Sequence, residues 1–183
     1  MKVQILQNSA MLIRNILFLC MLTVIGCQSR DDFPPYPKIE FEDYQKHTGV
    51  NGNDTAITLE ISFKHGHAEM GLNQDDTMPP FNEEPYQNNF FIEYYEKVEG
   101  EFQQVRQTSG GISNPNAPFI NFHSRFPDIT PSGKNKATQG KLKRDIPGFE
   151  TIKSDTIQFK IWIVDRNLEE SNKVYSPEIE ISG

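Results

Sequence analysis

Between Thr55 and Phe63 the chain alternates without a break: Ile57, Leu59, Ile61 and Phe63 fall on one parity, Thr58, Glu60 and Ser62 on the other. A period of two puts these sets on opposite faces of a strand, whereas a helix would spread them around a cylinder. The segment therefore predicts a half-buried strand. Ile157, Phe159, Ile161 and Ile163 repeat the pattern, with Lys160 and Trp162 facing the other way. Asn89 to Val98 is apolar on both parities (Phe90, Ile92 and Tyr94 against Phe91 and Tyr95), which predicts a central strand. Residue choice agrees: beyond Cys27 there are 14 Ile, 12 Phe and 6 Tyr against 4 Leu and 4 Ala. Branched and aromatic side chains fit a pleated surface, and the best helix formers are scarce. The expected class is all-β.

Val98-Glu99-Gly100-Glu101-Phe102 reads as a tight hairpin into a strand at Phe102 to Arg106, with glycine supplying a positive torsion. Further strands are expected at Lys38 to Tyr44, Phe119 to Phe126, Thr138 to Ile146 and Val174 to Ser182. Pro177 marks the last as an edge or a bulge, because proline donates nothing to a ladder. Short strands separated by turn signals predict a two-sheet sandwich, and the closing pair resembles the end of an immunoglobulin-like or fibronectin type III-like module. Three linkers, Gly66 to Asn88, Thr108 to Pro118 and Pro127 to Ala137, are long for a compact domain and are expected to carry function.

The N-terminus sets the location. Ile16 to Ile25 is ten residues without a charge, preceded by Arg14 and followed by Gly26-Cys27. Ten is too short for a spanning helix, which needs about 20 residues, but fits the apolar centre of a signal peptide, started from Met1 or Met11. Val24-Ile25-Gly26-Cys27 resembles a bacterial lipobox. The resemblance implies diacylglycerol on the Cys27 thiol, cleavage after Gly26 and acylation of the new amine; several acyl chains at about 0.8 kcal/mol per buried methylene anchor a protein firmly. The expected organisation is a signal peptide at 1–26, a lipidated cysteine and proline-rich tether at 27–37, and a β-sandwich at 38–183. Cys20 and Cys27 are the only cysteines, so the domain has no disulfide. Gln28-Ser29-Arg30-Asp31-Asp32-Phe33 looks like the acidic signals that route some lipoproteins to the outer face of the outer membrane, the alternative being an anchor that faces the periplasm. Removing 1–26 takes away Lys2 and Arg14 and no acid, so 18 cations become 16 against 25 acids, a net charge of −9. That balance argues against nucleic acid. The expected partners are the membrane, through the anchor, and an envelope protein or glycan.

Phe63-Lys64-His65-Gly66-His67-Ala68-Glu69-Met70-Gly71-Leu72 follows the best strand. Here the chain resembles uncharacterised lipoproteins of the Gram-negative envelope in which a strand ends in phenylalanine and then Asp-Gly-Asp-Gly-Asp-Ile-Gly-Leu. Phe63, Gly66, Gly71 and Leu72 match, as do Asp75-Asp76 and the aromatic strand Asn89 to Tyr95. The resemblance implies an immunoglobulin-like sandwich and an envelope location, and no activity. Where that pattern has three aspartates this chain has His65, His67 and Glu69. If the segment stays extended the three share a face and suit zinc, nickel or copper, with His47, His123 or water as a fourth ligand; the alternative is a solvated loop. No cofactor is expected apart from such a divalent metal.

Asp54-Thr55-Ala56, Asp76-Thr77-Met78 and Asp155-Thr156-Ile157 resemble the Asp-(Ser/Thr)-apolar acceptor of envelope O-glycosylation, Thr77 being the one in a loop rather than at a strand start. Lys134, Lys136, Lys141, Lys143 and Arg144 form a basic run, read as a solvated hairpin, the alternative being a contact for anionic lipopolysaccharide or a glycan. Phe81 and Tyr86, on a proline-rich loop, are candidates for a contact surface. No nucleophile elbow, phosphate loop or His-Glu-x-x-His occurs, and His123-Ser124 with Asp128 is no triad by spacing. The expectation is a non-enzymatic binding or assembly module, and the alternative is a metal-dependent or carbohydrate-active enzyme using loop 66–88.

Overall fold

The computed structural model describes residues 33–67, 69–109, 112–148 and 154–182. Cys20, Cys27 and the segment 1–26 expected to be a signal peptide lie outside them. The strands are β1 (Lys38–Thr48), β2 (Asp54–His65), β3 (Phe90–Val98), β4 (Glu101–Gln104), β5 (Thr108–Ser109), β6 (Ile112–Ser113), β7 (Thr138–Pro147), β8 (Thr156–Ile163), β9 (Val174–Tyr175) and β10 (Ile179–Glu180). Among the described residues there is no helix.

Two antiparallel sheets form a sandwich-like arrangement. One has the order β1-β2-β7; the other has the order β10-β8-β3-β4, with β9 also on β8. A separate ribbon joins β5 to β6. β2 fills the middle of the smaller sheet, and Ile57, Leu59, Ile61 and Phe63 are all buried. Facing them, β8 and β3 contribute Ile157, Phe159, Ile161 and Ile163, and Phe90, Ile92 and Tyr94. The period of two thus does what it predicts: one parity from each sheet makes a single core.

The second parity of β3 and β8 is apolar for its own reason. Phe91 and Trp162 are register partners whose rings stack at 5.0 Å and 8°, with His123 edge-on to both. This smaller cluster is capped by Tyr86. It lies on the face of the sheet away from the main core, which is why a central strand needs apolar residues on both sides.

Turn chemistry agrees at the β3–β4 hairpin, where both Glu99 (φ 53°) and Gly100 (φ 90°) are left-handed, the geometry that suits the twist of a two-residue loop. Pro177 sits between β9 and β10, which pair in succession with the same edge of β8. The register slips by one there, and the Ser176 hydroxyl accepts the Phe159 N–H at 3.0 Å in place of a ladder carbonyl. The Phe119 to Phe126 segment differs from the expected strand. It runs along β3 as isolated bridges at Phe90–Ser124 and Glu93–Asn121, because β4 already occupies the far half of that edge. Part of the Thr108 to Pro118 linker is the β5–β6 ribbon.

Two members of the basic run are neutralised within the sheet. Lys141 and Lys143 on β7 reach Glu60 on β2 at 2.6 and 2.7 Å, and Lys141 also reaches Glu42 on β1 at 3.2 Å. Hydrogen bonds from Lys141 and Lys143 hold the Glu60 carboxyl below the ordinary range. A charge run in one dimension is a paired ladder in three.

Candidate functional site

The loops at one end of the sandwich gather around the segment that leaves β2. His65, the last residue of β2, turns inward and is 1% exposed. Its Nδ1 accepts the backbone N–H of His67 at 3.1 Å, so the ring proton sits on Nε2 and is donated to Asp165 Oδ2 at 3.0 Å. The other oxygen of Asp165, Oδ1, accepts the N–H groups of Asn167 and Glu169, each at 2.9 Å. The pair ties the end of β2 to the turn after β8.

His67 and Glu69 are exposed, and the three sequence candidates do not converge. The extended path ends at Gly66, whose N–H is drawn to the Pro34 carbonyl at 2.7 Å. Among the described residues the group with metal-ligating atoms close together is His65, Asp165 and Glu169, within 4.8 Å. In it both nitrogens of His65 and both oxygens of Asp165 already hold hydrogen bonds, so the arrangement is chemically a latch. His47 is exposed on the smaller sheet, where Nε2 meets Thr58 Oγ1 at 2.7 Å and that hydroxyl donates to Asp145 at 2.6 Å. His123 is half-buried; its Nδ1 accepts the Ile92 N–H at 3.1 Å, and burial lowers its pKa. Ser124 Oγ is buried with no hydrogen-bond partner, and Asp128 Oδ1 accepts the Thr130 N–H, so His123, Ser124 and Asp128 each serve the local backbone or the core.

Beyond Glu69 the chain is anchored and then held open. Met70 is fully buried; its N–H goes to Thr130 Oγ1, and its carbonyl accepts the Ile129 N–H. Gly71 (φ 98°) passes so close to the 126–129 segment that a Cβ would lie 2.0 Å from the Pro127 carbonyl oxygen. Leu72 donates to the Phe126 carbonyl. From Asn73 to Asn88 there is no regular strand, and two arginines supply the order that a ladder would otherwise give. Arg125 donates to the carbonyls of Gln87, Asn73, Asp76 and Phe81. Arg166 grips both oxygens of Asp76, at 2.8 and 2.7 Å, donates to the Gly71 carbonyl, and lies 5.2 Å over the Phe81 ring. The bidentate bond from Arg166 pulls the Asp76 carboxyl down to about 2.

The two contact-surface candidates are both half-buried, and each faces partly inward: Phe81 under Arg166, Tyr86 on the Phe91–Trp162 stack. An apolar side chain on this loop has a structural task, and the one left projecting is Met78, 73% exposed. Thr77 beside it is exposed; Thr55 is half-buried with its hydroxyl donated to the His47 carbonyl, and Thr156 is half-buried at the start of β8. Arg125, Asp165 and Arg166 escape sequence reading, because nothing in their neighbourhoods marks them as partners of residues 38 to 100 positions away. The one local signal is the acidic pair Asp75-Asp76. Comparison of the chain with protein families, curated proteins and solved structures finds no match.

Proposed function

We propose that this chain is an outer-membrane lipoprotein, anchored through acylated Cys27 and a proline-rich tether, whose immunoglobulin-like sandwich is a non-enzymatic module that presents loop 69–88 to a partner in the envelope. The observation that carries the reading is the double arginine clamp. A loop of this length without strands would lose about 1–2 kcal/mol of backbone entropy per residue on being ordered at the moment of binding. Arg125 and Arg166 order it beforehand, with four carbonyls held by one and a bidentate carboxylate by the other. Preorganisation of this kind raises affinity without new contacts. On the ordered loop Met78, Pro79 and Pro85 are exposed, as are the acids Asp75, Glu83 and Glu84.

The lipobox-like Val24 to Cys27 and the resemblance of Phe63 to Leu72 to an envelope lipoprotein segment support the location, and the order of β8, β9 and β10 at one sheet edge supports the immunoglobulin-like assignment. Thr77 is the glycosylation candidate whose setting best admits a modifying enzyme, being exposed on the loop. The test is twofold. Mass spectrometry of the mature protein should show cleavage before Cys27 and acyl mass on it; an unmodified chain retaining residues 1–26 would refute the anchor. Met78→Asp, which leaves the clamp intact, should lower capture of an envelope protein or glycan at least tenfold at unchanged stability; unchanged capture would refute the role of the loop.

A further inference from the structure

The chain enters the sandwich at the same end as the clamped loop. The Pro34 carbonyl accepts the N–H of Gly66, Pro37 is buried, and β1 begins opposite Lys64. Ile39 is then fixed at both its N–H and its carbonyl by the side-chain amide of Asn172, at 2.9 Å each. Phe33 is thereby held over Gly66, where a glycine Cβ would meet both the Phe33 and the Pro34 carbonyl oxygens. The segments around this point are the end of β2, the clamped loop and the turn after β8. The opposite end carries the β1–β2 hairpin with Val50 and the β3–β4 turn. Along the 11 residues of β1 the two ends are about 35 Å apart.

From Cys27 to Phe33 is six residues, which span at most about 20 Å even when fully extended. On the reading that Cys27 is acylated, the docked Phe33–Pro34 cannot leave the vicinity of the bilayer, and the whole loop-bearing end is held there with it. We propose that loop 69–88 is the membrane-proximal face of the protein, and that its partner is a membrane-embedded protein with a cationic, partly apolar surface beside the anchor. The lipid itself is the poorer occupant. Asp75, Glu83 and Glu84 are exposed on the same loop as Met78, and an anionic headgroup layer repels them, whereas a cationic protein surface is complementary to the acids and offers apolar contact to Met78. This deepens the binding-module proposal, since it fixes the direction from which a partner must approach.

The domain has no cysteine of its own, so Met78→Cys and Val50→Cys each give a single labelling site on the acylated protein. Both positions are exposed, 73% and 105%, so neither substitution touches the core. With a donor at each site and acceptor-labelled lipid in phosphatidylcholine vesicles, transfer at position 78 should exceed that at position 50 at least twofold. Equal or reversed transfer overturns the orientation. Adding anionic phosphatidylglycerol should not raise transfer at position 78; a rise assigns the loop to lipid and overturns the protein partner. A photo-crosslinker at position 78 in intact cells should give an adduct to an integral membrane protein that is lost when Asp75, Glu83 and Glu84 are all replaced by lysine. Adducts with soluble proteins alone, no adduct, or an adduct indifferent to the charge reversal would each overturn it. The full mature chain with Cys27→Ser and a histidine tag on nickel-chelating lipid repeats the transfer measurement without acylation. Failure of the anchor then shows as a bare Cys27 in mass spectrometry, and failure of the orientation shows in the tagged protein as well.

Discussion

Asp165→Asn tests the latch that joins the end of β2 to the turn after β8. The substitution preserves shape and removes only a charge and an acceptor. The Asn oxygen must stay where Oδ1 stands, to keep the N–H groups of Asn167 and Glu169; the amide NH2 then faces the Nε2–H of His65 across 3.0 Å. Reversing the amide sets its NH2 against two backbone donors. Moving the ring proton to Nδ1 sets it against the His67 N–H at 3.1 Å. Every arrangement leaves two donors facing each other between side chains that are 1% and 0% exposed. A hydrogen bond to a charged group contributes about 1.5–3 kcal/mol, and a buried unsatisfied donor costs about 1–3 kcal/mol. Some relaxation of the turn offsets part of the sum, which leaves about 3 kcal/mol. Urea unfolding followed by the fluorescence of Trp162, the only tryptophan, should show the midpoint falling by about 1.5 M for a slope near 2 kcal/mol/M. His67→Ala and Glu69→Ala should stay within about 0.5 kcal/mol of the parent, because His67 takes part through its backbone and both side chains are exposed. An Asp165→Asn variant as stable as the parent, or a His67→Ala variant as damaged as Asp165→Asn, would refute the assigned proton position.

Gly71→Ala places a Cβ 2.0 Å from the Pro127 carbonyl oxygen at a φ of 98°, so it should cost more than about 4 kcal/mol or prevent folding; Gly133→Ala, also left-handed (φ 107°) but with open space around it, should cost about 1 kcal/mol, both read as thermal midpoints. The Asp76 carboxyl is lowered from 3.8 to about 2, a difference worth roughly 2 kcal/mol at 1.36 kcal/mol per pH unit. Partial solvent contact of both partners reduces this to about 1–2 kcal/mol. A lowered folded value means that this stability is complete above about pH 4 and is lost as the pH falls towards 2; in Asp76→Asn that component of acid destabilisation should be missing from the unfolding curves. Arg125→Ala releases four carbonyls of the loop and none of the core, so hydrogen exchange and protease cleavage between residues 73 and 88 should accelerate at least tenfold while the global midpoint moves little.

Periodicity made the strands legible because a sheet reads its own sequence at every second residue. β2, β3 and β8 lie within a residue or two of their expected limits, and the double-sided pattern of Asn89 to Val98 identifies a strand with neighbours on both sides. The same method fails at Phe119 to Phe126, where alternation is present but β4 competes for the edge of β3. It fails again at His65, His67 and Glu69. Their spacing implies a common face only while the chain stays extended, and Gly66 ends the extension by bonding to Pro34. Phe81 and Tyr86 look like exposed loop aromatics until Arg166 and the Phe91–Trp162 stack are placed against them.

The sequence by itself determined the class and the inner face of each main strand, because burial in a pleated sheet is a local, repeating property of neighbouring residues. The tertiary structure alone decided which charges are spent and which surface is left over. Arg125 and Arg166 are unremarkable in sequence, yet they order the loop that starts 50 to 90 residues earlier; Asp165 takes up the histidine that looked like a ligand; Lys141 and Lys143 are answered by Glu60 and Glu42. Hydrogen bonds and ion pairs act over about 3 Å of space and are indifferent to separation along the chain, so no period or motif records them.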